Sequence, residues 1–171
     1  MANAAAAAGH GRGRIAGLVL AILFSVIYGL FLSGGLMTEH MQFGGGAMTD
    51  DIANTAYSVG IAGSVAALLT WWFQGLVAGR SIPFRFAFAI ITLSVLFLVV
   101  GGVLTVLHEY LPLPGKVGPT YQFSGAQDVY ITMVQGINAF AQLFLSPLRL
   151  SILALLPAGA LYITMFGPRR D

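Results

Sequence analysis

Residues 86–107, FAFAIITLSVLFLVVGGVLTVL, run from end to end without a charge. At about 1.5 Å of rise per residue, such a run reaches across a hydrocarbon core roughly 30 Å thick. Inside that core no water is available to the peptide groups, so a single segment must satisfy its own backbone, and a helix does so. Comparable apolar runs occupy 15–37, 56–78 and 147–166. The chain is 57% hydrophobic and 8% charged, whereas soluble domains carry about 25% charged residues. These runs therefore predict spans in lipid rather than the core of a soluble fold.

The expected fold class is an all-α integral membrane protein. Its expected form is a four-helix transmembrane bundle with an additional amphipathic or re-entrant helix on the outer side; the alternative is five transmembrane helices. Residues 1–14, MANAAAAAGHGRGR, read as a mobile, basic cytoplasmic N-terminus, and 15–171 as one transmembrane helical domain. The first apolar run exceeds the 7–15 residues of a signal peptide and lacks a small-residue cleavage site, so it is expected to remain as a span.

Charge sets the expected orientation, because short cytoplasmic loops are enriched in Lys and Arg. Of the eight basic residues, Arg12, Arg14, Arg80, Arg85, Arg169 and Arg170 fall at three places that share one side if both termini are cytoplasmic. Glu39, Asp50, Asp51, Glu109 and Asp128 then fall on the other side with Lys116. This is the pattern of a multi-pass protein of a bacterial inner membrane. The net charge of +2 is scattered over segment ends, and a scattered charge gives no continuous basic face for nucleic acid. The chain has no Cys, which excludes disulfides, thiolate metal sites and dithiol redox chemistry.

Two helix faces stand out. Gly17, Ala21, Ser25, Gly29 and Ser33 place a small residue at every fourth position of the first span, and Ala56, Gly60 and Ser64 repeat the pattern in the second. Such rows let helix backbones approach closely, which drives association in lipid, and predict that these two spans pack together or against another subunit. At 100° per residue, Asp128, Thr132, Gln135, Asn138, Gln142, Ser146 and Arg149 share a sector of roughly 120°. An amphipathic helix is thus expected over about 128–145.

Three placements of that helix stay open. It can lie along the outer surface, although its polar face has no Lys or Arg from 129 to 148, unlike most interfacial helices. It can cross as a fifth span, which would leave Arg169 and Arg170 outside. Or it can enter the membrane as a re-entrant or tilted helix whose amides meet a cavity or a partner.

Candidates for chemistry are few. His40 with Glu39, and His108 with Glu109, sit at ends of spans predicted to share the outer side, a candidate metal or haem cofactor set. Met37, Met41 and Met48 surround His40 and would add soft sulfur ligands of the kind that suit Cu(I). Ser25, Ser64 and Ser94 lack a neighbouring His or acid in the chain, so a backbone-bonding role is expected for them. The Gly-rich segments lack the G-K-[ST] of a phosphate loop. The first and third spans carry no Asp, Glu, His, Lys or Arg, which argues against a pump built from this chain alone.

These features predict an accessory or structural subunit of a larger inner-membrane complex. It would be surrounded by lipid and joined to other membrane subunits, as a homo- or hetero-oligomer, through Gly17, Ala21, Ser25, Gly29, Ser33, Gly60, Ser64, Gln135, Asn138 and Gln142. The alternatives are a cofactor- or metal-binding membrane protein using His40 and His108, or a component of a small oligomeric channel or transporter.

Overall fold

The computed structural model describes the backbone of 2–43, 50–110, 126–145 and 150–168, and the side chains of 15–41, 53–108, 126–143 and 154–168. The Gly44–Gly46 loop with Met48, the Pro-rich stretch 111–125, the Ser146 to Arg149 end of the polar stripe, the Arg169 and Arg170 tail and the Glu109 side chain lie outside the described residues. The described residues are helical, with no strand among them.

Among the described residues five α-helices follow one another: α1 (Ala2–Phe43), α2 (Asp50–Phe73), α3 (Ile82–Tyr110), α4 (Ala126–Leu145) and α5 (Leu150–Phe166). A 3-10 turn, Gln74–Val77, closes α2. Among the described residues three stretches are long and apolar enough to cross a membrane, Ile15–Met41, Ala53–Val77 and Ile82–His108, and Ala154–Phe166 is a shorter apolar helix. The backbone of 2–14 continues α1 instead of departing from it, in keeping with the high helix propensity of its alanines. Likewise α2 starts at Asp50, ahead of its apolar run. Hydropathy marks where a segment can be buried, whereas the hydrogen-bond ladder marks where the helix ends.

The α1–α2 contact is built on absent side chains. A Cβ on Gly29 would overlap Ser64 Oγ and the carbonyl oxygen of Gly60, and one on Gly60 would come within 2.9 Å of Gly29 O and 3.0 Å of Ser33 Cβ. Ala21, Ser25 and Ser33 are buried along the same ridge, and Gly17 lies under Trp71. The ridge that could have served another subunit is therefore used inside the chain. Gly34, about 100° around α1 from the ridge residue Ser33, has nothing within 4 Å of a Cβ position. Gly34→Ala is accordingly expected to leave thermal stability in detergent unchanged or to raise it by up to about 1 kcal/mol through helix propensity. A clear loss would mean that this face is packed.

The α2–α3 turn is tight. Arg85 N–H donates to Ser81 O at 3.0 Å, and Pro83 occupies the first turn of α3, where its missing N–H costs nothing. At this end Gln74 is fully buried and donates through Nε2 to Arg85 O at 3.0 Å.

Contacts fix the direction of each remaining helix. Gly136 of α4 lies against Thr105 and Gly102 of α3, and Phe140 lies against Gly101 and Phe97, so α4 is antiparallel to α3. Gly159 of α5 meets Tyr28 of α1, Tyr162 stacks on Phe24 at 3.9 Å, and Gly167 reaches Gln74. Helix α5 is thus antiparallel to α1. Since α1 and α3 both run away from the Arg80 turn, α4 and α5 both run toward it.

Consecutive helices heading the same way cannot be a simple hairpin. Phe140 stands opposite Phe97 and Gly101, about 20 Å above the level of Arg85 at helical rise. Leu145 ends α4 about 7 Å lower, still well short of the Arg80 turn. Helix α5 ends beside Gln74, and its 17 residues place its start about 25 Å above that level. The chain thus regains about 12 Å of height between α4 and α5.

The core is shared by all five helices. Tyr28, Leu32 and Leu36 of α1 meet Val59, Ala62 and Ala66 of α2, Leu93 and Phe97 of α3, Phe140 of α4, and Leu156 and Ile163 of α5. Helix α1 contacts α2 and α5, while α3 contacts α2, α4 and α5. Helix α4 consequently sits at the edge, held almost wholly by α3.

Candidate functional site

Helix α4 is the most amphipathic of the five. One face carries Gly136 and Phe140, both buried against α3. Gln135, Asn138 and Gln142 are exposed, and helical geometry puts them about 150° around the axis from the buried pair. Asp128 and Thr132 are half-buried at the edge of the same polar face. Three primary amides therefore point away from their own fold, on a helix docked along an apolar span. Each offers two donors and an acceptor, and none of them is charged.

The close α3–α4 approach again depends on glycine. A Cβ on Gly102 would come within 2.7 Å of Ile137 Cγ1 and 3.0 Å of Met133 O, and one on Gly136 would come within 2.7 Å of Thr105 Cβ and 3.1 Å of Gly102 Cα. A Cβ on Gly101 would overlap the Phe140 ring, which makes an edge contact with Phe97 at 5.2 Å between centroids. These glycines position the amide face, and the signal for them was the pair GG inside an otherwise bulky run.

The candidate ligands at the opposite end from the Arg80 turn are spread over α1 and α3. His40, Glu39 and His108 are half-buried, Met41 is exposed, and Met37 packs against the core. Among the described residues no three or more His, Asp or Glu side chains gather where they could hold a metal ion. An open groove of about 540 Å³ runs between Phe31, Gly34 and Gly35 of α1 and Ala154 and Leu155 of α5, with Glu39 at one end.

The hydroxyls follow the expectation of backbone bonding. Ser25, Ser64 and Ser94 donate to the carbonyls of Ala21, Gly60 and Ile90 at 2.7, 3.0 and 2.8 Å. Thr38, Thr70, Thr105 and Thr164 do the same in their own helices.

Burial of Arg85, 5% exposed beside Gln74, could not be read from charge counting, which treats it as a loop residue. The Gln74 Oε1 atom and the Tyr28 hydroxyl are also buried, with no hydrogen-bond partner among the described residues. Gln74→Leu is expected to cost only about 1 kcal/mol, since it strips a donor from Arg85 O but also removes the unsatisfied Oε1. An unchanged thermal midpoint would show that the Gln74 bond contributes nothing net.

No protein-family model matches the chain, and no curated protein or solved structure matches it.

Proposed function

We propose that this chain is an accessory or structural subunit of an inner-membrane assembly, and that the amide face of α4 is its contact surface. In this reading α1, α2, α3 and α5 cross the membrane, both termini are cytoplasmic, and α4 enters from the outer side as a re-entrant or steeply tilted helix. The observation that carries it is the exposure of Gln135, Asn138 and Gln142 on a helix packed along the apolar α3. Counted from the middle of α3, Gln142 lies within about 5 Å of the bilayer midplane and Asn138 within about 10 Å. Unbonded amides at such depth cost several kcal/mol each. A partner that supplies hydrogen bonds removes that cost, and lipid tails do not.

The shared direction of α4 and α5 supports four crossings over five. The small-residue ridge, already filled by α2, leaves α4 as the surface for association. Association itself is tested by purification in mild detergent: a particle larger than the single chain is expected, and it should lose its added mass in the Gln135→Leu, Asn138→Leu, Gln142→Leu variant. A lone monomer would overturn the reading.

Topology is tested separately in this Cys-free chain by Lys116→Cys and Asp171→Cys. Impermeant maleimide added from outside is expected to label the first in intact cells and to spare the second. Labelling of position 171 from outside would overturn the four-span arrangement.

A further inference from the structure

The polar face of α4 has a spacing of its own. Ile131, Gln135, Asn138 and Gln142 follow one another at intervals of four, three and four residues, the a and d positions of a heptad. That repeat keeps one seam facing a neighbour when two helices cross at about 20° and wind left-handed. All four side chains are exposed, Ile131 at 43%. The seam lies nearly opposite the glycine face that holds α3, so α4 can carry both contacts at once.

From this we propose that the partner of α4 is a second copy of this chain. Two α4 helices would pair in parallel about a two-fold axis along the membrane normal, with Gln135, Asn138 and Gln142 each meeting its own counterpart. This rests on the association reading above and names the partner.

The chemistry selects a like partner. A primary amide is both donor and acceptor, so it is complementary to itself without any opposite charge. Charged lipid headgroups call for Lys or Arg, and residues 129–148 contain neither. Chains inserted with one orientation bring their α4 helices together in parallel, which places identical residues of the two seams at the same depth. Polar residues at a positions also fix register and the number of helices, and a two-fold contact of one patch with itself closes the assembly at two.

The test uses the full chain in native membranes. Single substitutions Ile131→Cys, Gln135→Cys, Asn138→Cys and Gln142→Cys are exposed to a thiol oxidant or a short bis-maleimide, with Tyr130→Cys and Leu23→Cys as exposed positions off the seam. A covalent dimer of this chain is expected at the four seam positions and not at the other two. In detergent, the triple leucine variant should dissociate about 10- to 30-fold more readily, at the modest strength measured for interhelical hydrogen bonds in lipid. Its helical content and unfolding midpoint should stay at the parent values, which separates a lost interface from a lost fold.

Equal cross-linking at all six positions would reflect random collision and overturn the proposal. Seam adducts to a different protein, with none to itself, would overturn the like-with-like pairing and leave the association reading standing. No adduct at any seam position together with a lone monomer would overturn both.

Discussion

Gly29→Leu is expected to destroy the α1–α2 contact and lower stability by at least about 3 kcal/mol, the upper end of ordinary overpacking. The reason is the nature of the atoms in the way. A Cβ there meets the backbone carbonyl of Gly60 as well as Ser64 Oγ, and a backbone cannot rotate aside as the tip of a long side chain can. Relief requires α1 and α2 to separate along the ridge that runs from Ala21 to Ser33, exposing a face on which Ala21, Ser25 and Ser33 are buried. Against total stabilities of about 5–15 kcal/mol, such a loss should appear as a collapsed thermal midpoint and an aggregated profile in size-exclusion chromatography. Parent-like stability would show that the helices are not in backbone contact at Gly29.

The second large effect concerns α4 alone. Gly136→Leu places a side chain where Thr105 Cβ and Gly102 Cα already stand within 2.7 and 3.1 Å of a Cβ. An expected loss of about 1–3 kcal/mol should fall on the α3–α4 contact and spare α1, α2 and α5. Because α4 is held almost wholly by α3, it should detach as a unit, drawing Phe140 out of its place beside Phe97. Ile137→Cys, introduced as the reporter, should then react with maleimide at least tenfold faster in the Gly136→Leu background, while the main unfolding transition persists. Faster labelling accompanied by loss of that transition would mean that α4 is integral to the core instead of docked upon it.

The helical, apolar character of the chain was legible in its sequence because it depends on local composition. The three long apolar stretches and the bounds of α4, expected at about 128–145 and found at Ala126–Leu145, follow from periods and runs visible in one dimension. What pairs with what was less accessible. The row from Gly17 to Ser33 announces a close approach, but a row alone does not say whether the partner is inside the chain or outside it; Gly60 and Ser64 answer that only in three dimensions. The pair Gly101–Gly102 gives no hint that it receives Phe140 and Ile137, since composition alone does not fix which helix faces meet. The amides of α4 were visible as a stripe, and their exposure became legible only with Gly136 and Phe140 pinned to α3. Arg85 illustrates the reverse case: a charge in a short turn reads as solvated, yet its carbonyl is tied to Gln74 and its side chain is buried.

The seven hydroxyls that donate down their own helices, from Ser25 to Thr164, spend no donor on a neighbour. At these hydroxyls the helices meet by steric fit, and steric fit does not weaken when the surrounding medium becomes more competitive for hydrogen bonds. The fold of one chain should therefore tolerate a change from lipid to a wetter micelle. The amides of Gln135, Asn138 and Gln142 have no such protection. Solvent polarity becomes a dial that acts on the encounter between molecules while leaving each molecule's interior as it was.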